Sequence, residues 1–488
     1  MRGRALSSIS AILVAALALA GDAIARDPPR SAPRLAARAA PGTPPAARPD
    51  RSRDSSAKLT PVEHEKARVE HRTAIAAVRK RVLQRPMPGQ PGFTGVPPAG
   101  ERRFVPNEIV LHVDPALPPQ KLDDAARKLG LTRLASQNVG LTGGTLIHFR
   151  SAGGRPVADV VRALEAEKIG IAQPNYVFKL QQIASLPARG KTGDPEQYVI
   201  GKLHLGDAHR LATGSKVLVA VIDSGIDGKH PDLAGAVIED FDAVGHPDRA
   251  HAHGTGMAGA IAARRALVGV APAARVLAIH AFSPESGESA QTTTSHVIAG
   301  LEWAIKKGAR VINMSFAGPY DPMLQLAMKK AHDKGIVLVA AAGNLGAKSP
   351  PLYPAADPHV IAVTATDQHD KLFAQANQGP HVALAAPGVD ILEPAPNGAY
   401  QVTTGTSVAA AHVSGVAALL IERDPSLTPE MVFETLTGSA RRLGGKGHDD
   451  RFGWGLVDPT RALREVEARV TQAGKRSPAS SAGAVSAR

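Results

Sequence analysis

The chain of 488 residues contains no cysteine. That absence removes disulfides, thiolate metal sites and cysteine nucleophiles together, and also a lipid-bearing cysteine behind a leader. Long apolar runs are missing too. The run ILVAALALA at 12–20 is shorter than the ~20 residues a bilayer span needs. An excess of one charge is missing from the body of the chain. The net +13 is concentrated at the ends: residues 26–103 carry 17 Lys and Arg against 7 Asp and Glu, whereas residues 104–470 carry 35 against 36. A neutral body disfavours nucleic-acid binding by the globular part. The hydrophobic share of 43% suffices for a large core, and the length suggests more than one domain or one large domain with appendages.

What is present divides in order. Residues 1–25 have Arg2 and Arg4, a short apolar centre and a closing Ala-Ile-Ala, the pattern of a secretory signal peptide. The expected place of work is therefore the periplasm or the medium. Residues 26–58, rich in Pro, Ala and Arg, are expected to be disordered. Residues 59–86 open on a capping box, Thr60-Pro61-Val62-Glu63, and read as a basic helix. Its apolar stripe of Val62, Val69, Ala76, Val82 and Leu83 is thin, so the helix is expected to be mostly solvated. Its other reading is a membrane-surface or nucleic-acid role. Residues 87–102 form a Pro/Gly linker.

Residues 103–182 read as β-α-β-β-α-β, the ferredoxin-like order, which fits many functions. Residues 183–196 are a polar linker without strand or helix pattern. From 197 to 468, near-continuous Val/Ile/Leu/Ala strands alternate with helices. Such strands belong to a parallel sheet buried on both faces, hence a doubly wound α/β domain with its chemistry at the carboxyl ends of strands. Residues 469–488 are expected to be a disordered tail.

Four residues stand at such element ends. Asp223 closes VLVAVID, His253 lies in HAHGTGMAG, Asn344 ends IVLVAAAGN, and Ser407 opens a helix in GTSVAAAHVSG. Each has an ordinary explanation alone: an Asx-turn for Asp223, a surface histidine, a turn residue for Asn344, an N-cap for Ser407. Together they provide acid, base, oxyanion donor and nucleophile, the set acyl transfer requires. Their order along the chain is Asp, His, Ser.

In this set the chain resembles the subtilisin-like serine proteases, the subtilases, from about residue 198 to 463. NMSFAGP at 313–319, HPDL at 230–233 and FGWGLVD at 452–458 also match. The resemblance implies a triad of Asp223, His253 and Ser407 with Asn344 as oxyanion donor. It implies substrate binding along Ser315, Phe316 and Ala317 and along Ala341, Ala342 and Gly343. It implies that residues 103–182 are a propeptide, an intramolecular inhibitor cut off between 180 and 196. The expected protein is a monomeric, exported endopeptidase acting on proteins or peptides, with no membrane span.

There are departures. Gly256 stands where the family has a second histidine, and Val408, Ala411 and Ala317 replace Met, Pro and Gly. Leu352, Leu345 and Ala317 are expected to make the primary side-chain pocket apolar and rather shallow, favouring small or medium apolar side chains over Lys or Arg. No cofactor is required. The sequence RRALVGVAP after Ala263 is too short for the family's calcium loop, so the strong calcium site is expected to be lost, with Asp232 its one remaining ligand and no metal residues assigned. Two other readings stay open: a catalytically silent subtilase-like binding protein, and a surface-binding protein working through its basic segment.

Overall fold

The computed structural model describes residues 61–82, 85–180, 184–187, 197–245, 250–283 and 290–476. The expected signal peptide at 1–25, the 26–58 segment, most of the 183–196 linker and the last residues of the tail lie outside them.

The first part contains α1 (Pro61–Arg79), β1 (Phe104–Val113), α2 (Pro119–Leu129), β2 (Leu131–Val139), β3 (Gly144–Ser151), α3 (Val157–Glu167), β4 (Ile171–Leu180) and β5 (Ala184–Pro187). Strands β4, β1, β3 and β2 lie side by side in that order, every pair antiparallel. One sheet face buries Ile109, Leu111 and Phe149 against Val160, Val161 and Leu164 of α3. The other face places Val110, Leu146, Tyr176 and Phe178 against Val297, Leu301, Met323 and Leu324 of the body. Burying side chains of this size contributes ~1.5–3 kcal/mol each.

The body begins with α4 (Tyr198–Lys202) and α5 (Leu205–His209), then β6 (Leu218–Asp223), β7 (Val237–Asp242), α6 (Ala252–Ala262) and β8 (Arg275–His280). It continues with β9 (Gln291–Thr293), α7 (Thr294–Lys306), β10 (Val311–Met314), β11 (Phe316–Ala317) and α8 (Pro322–Asp333). After β12 (Val337–Ala341), β13 (Val360–Thr366), β14 (Val382–Pro387), β15 (Ile391–Ala395) and β16 (Ala399–Thr404) come α9 (Thr406–Arg423), α10 (Pro429–Ser439) and α11 (Pro459–Arg476). Seven strands form one sheet in the order β14-β13-β12-β10-β6-β8-β7, all parallel.

The strand β7 escaped the sequence pattern because VIEDFD is a half-exposed edge, not a continuous apolar run. Helix α9 is buried from Thr406 through Ile421. Its apolar periodicity is invisible because every face is covered. Helices α8 and α10 start as their sequences dictate. Asp321 and Thr428 accept from Leu324 N and Met431 N, and each is followed by proline at the first helical position.

Three segment expectations need correction. Helix α11 continues through Arg476, into the expected tail, because its inner side chains Ala462, Leu463 and Val466 are fully packed in the core and the helix propagates beyond them. The linker contains a strand, β5, paired antiparallel with β16 from Gln401↔Pro187 to Thr404↔Ala184. Tertiary pairing supplied what its local sequence lacks. Helix α1 keeps most of its described side chains exposed but docks through a residue outside the expected stripe. Ile75 is 5% exposed and joins the body's core, whereas Val69 of the predicted stripe is 51% exposed.

Candidate active site

The buried Asp223 is the last residue of β6. Its Oδ1 accepts from Ser224 N at 2.8 Å and Ser224 Oγ at 3.1 Å, and lies 2.7 Å from His253 Nδ1. A carboxylate only accepts, so His253 Nδ1 carries the proton and Nε2 is left as the basic nitrogen. Nε2 is buried without a hydrogen bond. His253 enters from the first turn of α6, whose N-cap His251 accepts from His253 N. Ser224 Oγ also accepts from Gly254 N at 3.1 Å, stitching α6 to the end of β6. Burial opposes charge on the His253 ring. The charge and hydrogen bond of Asp223 outweigh it, with Glu393 adding in the same sense, and hold the ring above the ordinary histidine value.

Ser407 is the second residue of α9, and the N-cap is Gly405, so the serine is not a cap. Ser407 Oγ donates to Ser315 O at 3.1 Å, and Ser407 O accepts from Ser315 Oγ at 3.0 Å. Behind it, Asn313 Nδ2 donates to Ser315 Oγ and Ser414 Oγ donates to Asn313 Oδ1, both at 2.9 Å. Ser407 thus stands on a buried polar chain running from β10 back to its own helix. Among the described residues His253 Nε2 has no hydrogen-bond partner, so it is not bonded to Ser407 Oγ in this arrangement.

Asn344 follows β12. Its Oδ1 accepts from Thr406 N at 3.1 Å and Thr406 Oγ1 at 2.8 Å. The amide orientation is thereby set, with Nδ2 as its donor side. Thr406 Oγ1 also accepts from Gly343 N at 3.1 Å. Gly343 has φ +111, and a Cβ there would meet Leu352 Cδ1 and Asn377 Nδ2, each at 2.8 Å. Only glycine fits. Ala341 and Ala342 are fully buried beside it, and Leu352 is 2% exposed. Leu345 is 65% exposed, so of the two pocket leucines only Leu352 reaches the site. The loop turns Leu345 outward as its backbone N–H binds Asn377 Oδ1 at 2.9 Å.

The first part of the chain crosses this site. Strand β4 lies between two short body strands, antiparallel to both: Lys179↔Ala317 and Leu180↔Phe316 on β11, Phe178↔Thr292 on β9. Phe178 is fully buried, its ring 5.8 Å from Phe316. Gly318 makes the room, since a Cβ there would sit 2.3 Å from the Phe178 ring. Ala184 of β5 pairs with Thr404 of β16, three residues before Ser407 in the chain.

Three groups here escaped sequence reasoning. Ser224 and Thr406 were readable only as neighbours of Asp223 and Ser407. Glu393 had no signal of its own except the departure at Gly256. It is 1% exposed, and a Cβ on Gly256 would come 2.6 Å from its Oε2, so the missing side chain is the space it fills. Neither carboxyl oxygen makes a hydrogen bond of normal geometry. Burial pushes its pKa up to about 8, against the pull of Thr403 and His253.

The candidate cation ligand is differently employed. Asp232 Oδ1 accepts from Ala266 N at 2.6 Å and Oδ2 from Leu267 N at 3.3 Å. The short loop has turned its own amides onto this carboxylate, which does not fit calcium with its 6–8 oxygens. Among the described residues no group of three or more His, Asp or Glu side chains is disposed to hold a metal, and no helix is long and apolar enough to cross a membrane.

The model of the subtilase family matches residues 214–455. The chain is 35% identical over 288 residues to fervidolysin of Fervidobacterium pennivorans, covering 52% of this chain and 41% of that protein. It is 40% identical over 257 residues to subtilisin E of Bacillus subtilis (strain 168), covering 50% and 65%. Subtilisin of Bacillus pumilus is 39% identical over 257 residues, and 90% of it is covered. The chain thus spans less than two thirds of the length of fervidolysin and subtilisin E. The crystal structure of fervidolysin, described as a keratinolytic enzyme related to subtilisin, superposes with a TM-score of 0.65 at 26% identity, covering 78% of this chain and 64% of that one.

Proposed function

The chain belongs to the subtilase family, and from that premise we propose that it is an exported serine endopeptidase made as a self-cutting zymogen. Ser407 attacks the peptide carbonyl. His253 Nε2 takes its proton and returns it to the leaving amine. Asp223 keeps the imidazole in the useful tautomer and stabilises its cation. Asn344 Nδ2 and the start of α9 receive the oxyanion, where helix N–H groups favour negative charge. Substrate lies as an added strand against Ser315, Phe316 and Ala317, with Ala341, Ala342 and Gly343 beside its acyl side. The catalytically silent alternative is disfavoured by the buried 2.7 Å contact between Asp223 and His253. Burying even a paired carboxylate and imidazole carries a desolvation cost, and a fold with no chemistry to perform gains nothing from it.

One observation carries the zymogen reading. Leu180 is paired with Phe316, the neighbour of Ser315 in sequence, and Ala184 with Thr404, three residues before Ser407; residues 181–183, between them in the chain, lie outside the described residues. The cut is therefore expected within residues 180–184. It separates residues 103–180 as propeptide from a peptidase domain running from the cut to Arg476. The aromatic fit of Phe178 beside Phe316 further suggests that substrates with a large apolar residue at that position are preferred.

The test is incubation of the full-length chain, with intact mass and N-terminal sequencing. The active form should begin at residues 181–184. Ser407→Ala should stay uncut and lose about 10⁶ in turnover, the magnitude known for subtilisin. An active enzyme that still begins near residue 26, or a Ser407→Ala chain that is cut at the same place, defeats the proposal.

A further inference from the structure

Helix α1 presents a contradiction between packing and connectivity. By packing it belongs to the body. Ile75 is buried in the body's core, with Ala74, Val78 and Phe433 packed around it. His71 stacks edge-on to Trp454 with centroids 4.6 Å apart, and its Nε2 lies 2.9 Å from Thr437 Oγ1. Around this apolar seam runs a ring of charge. Arg72 Nε meets Glu434 at 2.8 Å, Arg79 Nη1 meets Glu430 at 2.5 Å, Arg68 meets Glu465 at 3.6 Å and Arg81 meets Asp450 at 2.9 Å. Arg79 also lies over the Phe433 ring, 4.7 Å from its centroid. By connectivity, however, α1 lies upstream of the expected cut.

The stretch after α1 is fastened as well. The Arg85 guanidinium sits 4.7 Å over Tyr320, and Tyr320 Oη donates to Pro86 O at 3.3 Å. Gly95 N and Thr94 Oγ1 donate to Glu165 Oε1 at 2.7 and 3.0 Å. The upstream chain is thus tied along the body's surface from α10 and α11 to the unit that enters the cleft.

We propose that residues 61–82 are a second docking arm of the pro-segment, seated on an acidic and aromatic face made by α10, α11 and the 448–454 loop. This arm holds the cut pro-segment on the enzyme independently of the cleft. The partner that face recognises is a basic amphipathic helix with His71, Ile75, Val78 and Val82 on its inner side. The inference rests on the self-cutting reading above. Its physical basis is bivalency. While α1 remains bound, a β4 that leaves the cleft stays at high local concentration and returns, so both contacts must open before the pro-segment departs.

The test separates docking from cutting. A full-length Ser407→Ala chain receives a foreign protease's recognition sequence within residues 188–196 and is cut there by that protease. Dissociation of the upstream fragment is then timed by size exclusion. Arg72→Glu with Arg79→Glu should speed dissociation about tenfold, since each exposed pair is modest and both become repulsive. Adding Glu430→Arg and Glu434→Arg should return it to within about threefold, a recovery that a merely misfolded arm would not show. The parent fragment should leave several-fold faster in about 1 M salt than in about 0.1 M, because exposed charges are screened. Unchanged dissociation on charge reversal overturns the proposal. So does a loss that the swapped charges fail to restore. If the chain with Ser407 intact never cuts itself, the zymogen reading fails, yet this experiment still decides whether the arm docks.

Discussion

The two places where the upstream chain meets the body are built differently. In the cleft, contact is made by backbone in register: β4 between β9 and β11, with Lys179 opposite Ala317 and Leu180 opposite Phe316. The polar groups beneath it are buried, each held by another. On the far face, α1 is held by one buried isoleucine and by arginines whose partners remain partly exposed. A site that performs chemistry needs each atom placed, because a small displacement costs rate. A site that only holds can spread a modest energy over interchangeable ion pairs. Single substitutions should therefore have large effects in the first region and small ones in the second.

The largest effect expected short of the nucleophile is at Asp223. Asp223→Asn should lower kcat by about 10⁴, as in other serine proteases of this arrangement, because the wrong imidazole tautomer is then favoured. In the parent, His253 must be neutral to act as base, and its pKa is raised. The acid limb of kcat/KM should thus lie above the ordinary histidine value of 6.5. A limb at or below that value would show that Asp223 does not control the ring.

Asn344→Ala comes next. It should lower kcat by about 10²–10³ with little change in KM, the range measured for the equivalent substitution in subtilisin. The hold on α1 should be unchanged. A raised KM with unaltered kcat would mean that Asn344 only shapes the pocket.

The smallest effect expected is on stability. Glu393 is raised from 4.5 to about 8 in the folded chain. A group raised on folding contributes stability below its unfolded pKa and loses it as pH climbs to the folded value. The parent should therefore weaken between pH 4.5 and 8 relative to Glu393→Gln. Melting temperatures of the two, compared at the ends of that window, should diverge toward the alkaline end. A constant gap would show that Glu393 is not buried as an acid.

Much of this was legible in the chain. Six of the seven sheet strands announce themselves because a parallel strand buried on both faces must be apolar throughout. The candidate site residues stand out because strand ends and helix starts are where this fold presents polar groups. Lone residues such as Asp223 were ambiguous until four such ends appeared in one order. Glu393, Ser224 and Thr406 were not legible, since what they do depends on neighbours far away in sequence.

By itself, then, the sequence determined most of the elements, the family and the four candidate residues at element ends, because these depend on local pattern and spacing. The tertiary structure alone decided the rest. It made a strand of residues 184–187 by giving them β16 to pair with. It filled the gap at Gly256 with a carboxyl group. It turned Ala266 and Leu267 amides onto Asp232. And it seated α1 through Ile75 instead of the expected Val69, because a helix's buried face is fixed by the surface it meets, and that surface lies more than three hundred residues away along the chain.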